Sequence, residues 1–218
     1  SSDRGPYRSW YYRGETEGMS NSLNWLQTGI GLMKYVRPTD TNDDKNINGE
    51  FSHISKKADP LIRYADILLM YAEALNELDG SYQIETWDNS GTHSISRDVD
   101  ELKKGVQPVR IRAGIPDFTP EEYGNKELFR KKIKRERQIE LMAEGQRYFD
   151  LRRWKTAEKD LNQPLMGFRI ERQDNGVVST HEFVVDGQRK FNTKMYYSPI
   201  PYSEMQLNTN LVQNPGWR

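Results

Sequence analysis

The chain has 218 residues, enough to bury a core as one domain or as two small ones. Its 32 Lys and Arg balance its 32 Asp and Glu, so no global field draws it to nucleic acid or to an anionic membrane surface. The absence of cysteine excludes disulfide frameworks, thiolate metal sites and cysteine nucleophiles, and no run approaches the roughly 20 apolar residues of a membrane-spanning helix.

Residues 1 to 29 open on SSDRG, without Met and without a signal-peptide pattern. That opening fits a cytoplasmic chain and equally a mature or excised piece of a longer protein. The stretch is polar yet crowded with rings: Tyr7, Trp10, Tyr11, Tyr12 and Trp25. It shows no clean period and reads as loops with a short helix. Gly31 to Val36 reads as extended, and Asp40 to Gly49 as an Asn/Asp turn region.

The clearest helix is predicted over Pro60 to Leu78. Asp59 suits the N-cap, Pro60 the first helical position and Gly80 the stop. Leu61, Ala65, Leu68, Ala72 and Leu75 form one apolar stripe; Tyr64, Ile67, Tyr71, Ala74 and Leu78 form a second. A helix apolar on two faces is expected between two neighbours, as in a stack of helix pairs. Ser81 to Ser96 reads as a polar loop holding Tyr82 and Trp87, and Arg97 to Arg112 as a return helix interrupted at Gly105 and Pro108. Pro116 and Pro120 mark loops. Asn125 to Glu144 is predicted helical, with a break at Gly145 and helical spacing resuming through Tyr148, Leu151, Trp154, Ala157 and Leu161.

Phe168 to Phe191 changes character. Asp174-Asn175-Gly176 and Asp186-Gly187 are turn signals beside Val177, Val178, Phe183, Val184 and Val185, so a hairpin or three-stranded ribbon is predicted. A short helix over Tyr202 to Leu207 follows the rigid Pro199-Ile200-Pro201, and the tail from Leu211 reads as irregular.

Several patterns bear on chemistry. Glu136, Glu140 and Glu144 stand at successive i+4 positions, close enough for the two carboxylates of a glycosidase. Arg137, Arg147, Arg152 and Arg153 are interleaved with them, and nearby cations lower carboxylate pKa values, the wrong direction for a general acid. Ion pairs bracing the helices are the preferred reading. Arg130 to Arg137 contains glutamates and Ile133, which marks a solvated helix face rather than a nucleic-acid patch. Asp44 to Gly49 matches the opening of a calcium loop, but Ser55 stands where the bidentate Glu belongs, so a plain Asx-rich turn is preferred. His53, His93 and His181 lack partners at metal-ligand spacing. No nucleotide-binding or nucleophile motif is present, and neither cofactor nor metal is expected.

The rings Trp10, Tyr11, Tyr12 and Trp25 are the candidate binding residues. A Trp or Tyr ring offers a flat apolar platform with a polar rim, which is what the C–H face of a sugar needs. The competing reading is that these rings pack a loop onto the helices.

Three blocks resemble the C-terminal half of the SusD/RagB family: RYADILLMYAEALNEL (Arg63 to Leu78), IKRERQIELMAEGQRYFDLRRW (Ile133 to Trp154) and YYSPIPYSEMQLNTNLVQNPGW (Tyr196 to Trp217). Gly31 to Pro38 and Val109 to Gly114 resemble weaker family blocks in the same order. The resemblance implies a mostly α-helical protein, with tetratricopeptide-like helix pairs, a loop-rich ligand region and a small β-hairpin near the C-terminus. It divides the chain into residues 1–59 as the ligand region, 60–161 as helix pairs, and 162–218 as hairpin, short helix and tail. It further implies that the chain is a segment of a longer lipoprotein, whose absent N-terminal half bears the signal peptide and lipidated Cys. Such proteins sit on the outer face of the outer membrane, bind glycans without enzymatic action and deliver them to a TonB-dependent SusC-like transporter. Two further readings remain at this stage: a tetratricopeptide-like, RagB-like scaffold that binds a peptide or protein, and a glycosidase using the Glu136/Glu140 region.

Overall fold

The computed structural model describes Thr28, Lys34 and residues 60–172, 176 and 178–217. The chain divides into two compact units, Asp59–Arg153 and the combination of Ser1–Ala58 with Trp154–Arg218. The expected fold class holds: helices predominate, packed in pairs, with a β-hairpin toward the C-terminus.

The first unit contains α1 (Tyr64–Glu77), β1 (Tyr82–Glu85), β2 (Thr92–Ile95), α2 (Val99–Arg112), α3 (Pro120–Gly124), α4 (Lys126–Glu140) and α5 (Gln146–Arg153). Helix α1 begins at Tyr64 rather than at Pro60. Arg63 is extended, at φ −113° and ψ 148°, and serves as the N-cap. Its guanidinium is drawn to Glu140 and Glu144, which holds the preceding segment off the helix axis. Leu61, expected in the first apolar stripe, precedes the helix and is 94% exposed. The stop falls at Leu78, where Lys126 Nζ donates to the carbonyl oxygens of Glu77 and Leu78, the C-terminal groups that a cation is suited to cap.

Helix α1 does lie between two neighbours, but the second face is not the one that hydrophobicity marked. Toward α2, the Cβ of a residue replacing Gly105 would lie 2.6 Å from the Leu68 carbonyl oxygen and 2.7 Å from Ala72 Cβ, so glycine permits this approach. Toward α4, α1 presents Asp66, Glu73 and Asn76, all buried. The predicted second stripe is a correction: Tyr64, Ile67, Tyr71 and Ala74 are exposed. Leu68 is half-buried, whereas Leu69, in neither predicted stripe, is fully buried. Leu69 packs in one cluster with Leu75, Leu102, Val106, Phe129 and Ile133.

The segment read as a loop at Ser81 to Ser96 is instead a two-stranded hairpin, with Tyr82 opposite Ile95 and Glu85 opposite Thr92. Its turn closes through Thr86 N donating to Gly91 O at 2.9 Å, with Asn89 left-handed at φ 56°. The return helix α2 starts on an Asp98 cap that accepts from the Asp100 and Glu101 amides. It runs through Gly105 and Pro108 without the expected interruption. Pro108 lies on the exposed side, where water can satisfy the carbonyl that loses its helical donor.

Pro120, read as a loop marker, opens α3 inside a capping box: Thr119 accepts from Glu122 N and Glu122 accepts from Thr119 N. Tyr123 of this helix packs with Phe118 and Phe129 at centroid distances of 5.7 and 5.6 Å, and these two rings stand 6.0 Å apart. Helix α4 ends at Glu140, four residues before the predicted stop, and the chain turns through Ala143 (φ 63°) and Gly145 (φ 79°) into α5.

The described elements of the second unit follow Trp154. Lys155 is left-handed at φ 55°, which breaks the predicted continuous helix before α6 (Ala157–Leu161). Strands β3 (Leu165–Arg172) and β4 (Val178–Asp186) pair antiparallel as a two-stranded hairpin. Asp186-Gly187 ends β4 rather than turning into a third strand; Asp186 Oδ1 accepts from Gln188 N at 2.8 Å. A 3-10 turn (Thr193–Tyr196) and α7 (Tyr202–Leu207) follow, the latter with the predicted bounds. The tail has no regular structure but is tied down. Trp217 Nε1 donates to the Lys194 and Tyr197 carbonyls at 3.0 and 2.9 Å, and Gln213 exchanges two hydrogen bonds with the Ile200 backbone.

Candidate functional site

The carboxylates that suggested chemistry are on α4 and the turn after it. Each is met by an arginine from another helix or from the residue before one. Glu136 accepts from Arg110 at 2.5 Å. Glu140 accepts from Arg63 at 2.8 Å and from Arg112 through both oxygens at 2.7 and 2.6 Å. Glu144 accepts from Arg63 through both oxygens, at 2.8 and 2.6 Å. Glu144, then Glu140, hold the Arg63 guanidinium above its ordinary pKa against the opposing effect of its burial.

A second network lies between α1, α4 and α5. Arg137 is 2% exposed. It donates to Asp66 at 2.9 Å and to Asp150 at 3.0 and 3.2 Å, with Glu73 at 3.7 Å. Arg153 closes the set with two bonds of 2.6 Å to Glu73 and one to Asp150 at 2.8 Å. The ion-pair expectation for this segment is therefore met, with partners that differ in part from those expected. Arg63, Arg110 and Arg112 stand far away in sequence. Arg152, expected among the braces, lies with its guanidinium carbon 3.5 Å from the Tyr148 ring centroid.

The Arg63 and Arg112 side chains border a cleft of about 420 Å³ between the start of α1 and the end of α2. Its remaining walls are Tyr64, Ala65, Leu68, Pro108 and Val109. Both arginines are committed to Glu140, so this cleft offers a mostly apolar surface with a fixed charged edge.

The sequence-predicted binding residues Trp10, Tyr11, Tyr12 and Trp25 lie outside the described residues. So do the Asp44 to Gly49 loop, Ser55 and His53. Of the other histidines, His93 is on β2 and His181 on β4, far apart in the chain order. Among the described residues, no group of three His, Asp or Glu side chains is arranged to hold a metal ion. Trp87, at the tip of the β1–β2 hairpin, is 96% exposed, and Tyr82, at the hairpin's other end, is half exposed.

The model of the SusD family matches residues 5–217. The chain belongs to the SusD family. A curated relative, SusD-like protein P2 of Formosa agariphila, is 31% identical over 159 residues, which are 72% of this chain and 25% of that protein. The chain thus spans about a quarter of that relative's length. A SusD-like protein of Bacteroides fragilis has a similar structure, with a TM-score of 0.55 and 28% identity, covering 74% of this chain and 26% of its own. Another solved structure, that of BT4246, aligns with a TM-score of 0.67 and 27% identity over 89% of this chain and 30% of its own. Within this SusD-family fold, the arginine–carboxylate braces tie α1, α2, α4 and α5 together.

Proposed function

We propose that this chain is part of a non-enzymatic, glycan-binding component of an outer-membrane nutrient-uptake system. Membership of the SusD family across residues 5–217 carries the reading. The longer protein would be lipid-anchored at the cell surface and would hand oligo- or polysaccharide to a TonB-dependent SusC-like transporter. Residues 1–59 would supply the ligand surface, with Trp10, Tyr11, Tyr12 and Trp25 as stacking platforms. Residues 60–161 would provide the helix pairs, and residues 162–218 the hairpin, short helix and tail. The engagement of Glu136 and Glu140 by guanidinium groups supports binding without hydrolysis, because a glycosidase acid must hold a proton for the leaving oxygen.

The test is a glycan array on the longer protein, followed by alanine substitution at each of the four rings. Loss of one stacked ring should weaken binding by ~0.5–1.5 kcal/mol beyond its lost area, by analogy with aromatic pairs, with the melting temperature unchanged. If all four variants keep the parent's affinity, the platform lies elsewhere. A blank array together with tight binding of a peptide library would instead favour the RagB-like, peptide-binding reading.

A further inference from the structure

A concavity beside the β1–β2 hairpin is lined by none of the bracing arginines. It encloses about 430 Å³ between α1, the end of β2 and the start of α2. That is within the ~300–1,000 Å³ common for small-ligand sites. Its wall from α1 is Tyr71, whose hydroxyl donates to Glu101 Oε2 at 2.6 Å. The bond fixes the ring, which stays 37% exposed, so the platform is set before any ligand arrives.

The polar groups around this ring are of two kinds. Glu101 is used by Tyr71 and Lys104, which orient it. Lys104 first, and Tyr71 second, hold its carboxyl below the ordinary carboxylate range, so it stays an acceptor. Ser94 is bonded to the Ser81 hydroxyl at 2.9 Å, and three others are open. Asp98 spends Oδ1 on the Asp100 and Glu101 amides, and its other oxygen accepts no hydrogen bond among the described residues. The His93 imidazole and the Ser96 hydroxyl line the same space, exposed and without a side-chain hydrogen bond among the described residues. One anionic acceptor and two groups that both donate and accept, next to a fixed ring, match the hydroxyls and C–H face of a sugar unit. An apolar ligand would leave these groups unpaired, which is costly on burial. A basic side chain would find half of the negative charge already neutralised by Lys104.

The hairpin register extends the surface beyond the cavity. Tyr82 and Ile84 stand opposite Ile95 and His93, so all four share one face, and Tyr82 and Ile84 are 51% and 48% exposed. We propose that this concavity is a saccharide subsite built from side chains of the first unit, which takes one neutral sugar unit of an oligosaccharide while the next unit lies along Tyr82 and Ile84. The inference rests on the glycan-binding reading above and assigns it a further place on the chain.

The experiment uses the longer protein and a panel of neutral probes: maltoheptaose, cellohexaose, xylohexaose and mannohexaose, by titration calorimetry. The double variant His93→Ala with Ser96→Ala changes only exposed side chains and should melt at the parent's temperature. It should lose affinity roughly tenfold for the probe that the parent binds, the scale of two lost neutral hydrogen bonds. Tyr71→Ala should lose a similar factor. Unchanged affinity in both variants, with loss on alanine substitution of Trp10 or Trp25, would overturn the subsite and leave the glycan-binding reading standing. A parent that binds no probe and no arrayed glycan would remove both. Binding of hexalysine that the double variant abolishes, without sugar binding, would reassign the concavity to cations and overturn the saccharide subsite.

Discussion

Arg130 and Arg137 are two turns apart on α4, and each donates hydrogen bonds to two carboxylates, yet their surroundings differ. Arg137 is 2% exposed, and its main partners Asp66 and Asp150 are 8% and 4% exposed. Arg130 is 26% exposed, with Glu77 at 44% and Glu127 at 71%. Geometry does not separate them, since Arg130 also pairs both its end nitrogens with carboxylate oxygens. Burial does. Around Arg137 each partner has given up its water, so removal of one leaves the rest charged and unsolvated. Around Arg130 water replaces whatever is lost. The lesson is that contact lists overstate surface networks and understate how strongly a buried one specifies which helices meet.

The sharpest test is Arg137→Ala. It strands Asp66, leaves Asp150 to Arg153 alone and should cost ~3–5 kcal/mol in denaturant melts. A loss under ~1 kcal/mol would mean that water reaches the network and that the contrast is false. Leu69→Ala provides the apolar yardstick on the same helix as Asp66. Leu69 is fully buried, so ~2–5 kcal/mol is expected; the same change at half-buried Leu68 should cost less. Glu140→Gln weakens the charge-assisted bonds from Arg63 and Arg112 at a site of intermediate burial. It should cost ~1.5–3 kcal/mol while leaving glycan binding by the longer protein intact. Detectable polysaccharide hydrolysis that this variant abolishes would overturn the bracing role.

Arg130→Ala should cost no more than ~1 kcal/mol, and molar salt should shrink that difference further while leaving the Arg137 effect in place. Acid gives the smallest effect. Arg130 holds Glu77 below its ordinary carboxylate value of 4.5, and Lys132 does the same for Glu122. A lowered folded-state value means stability present above the unfolded value and lost as pH falls through the folded one. Melts at pH 7 and 5 should therefore agree in this contribution. Below about 4.5 a gentle decline should set in, weaker in Glu77→Gln. A decline beginning near neutrality would point to other groups.

The legible features were those written in local chemistry. The run from Pro60 to Leu78 declared a helix through its apolar recurrence, though it starts only at Tyr64, and Pro199-Ile200-Pro201 located α7 to the residue. Asp174-Asn175-Gly176 announced the hairpin formed by β3 and β4, because turn residues act within four positions. Two signals were present but passed over. Thr119-Pro120-Glu121-Glu122 is a helix-start signature, and it opens α3. Tyr82, Ile84, His93 and Ile95 alternate weakly in a polar stretch, and they form one face of the β1–β2 hairpin. The proposed subsite depends on that second, fainter signal.

The sequence by itself determined the class of fold, the family and the presence of an arginine–glutamate brace, since each is encoded in residue type and short spacing. Only the tertiary structure decided which arginine meets which carboxylate. Arg63 and Glu144 are 81 positions apart, and no local period relates them. It likewise decided that the second buried face of α1 is Asp66, Glu73 and Asn76 instead of Tyr64, Ile67 and Tyr71. A charged side chain is buried only where another element supplies its counter-ion and hydrogen bonds, and that supply, here from Arg137, Arg153 and Arg97, exists only once α4, α5 and the residue before α2's cap have packed against α1.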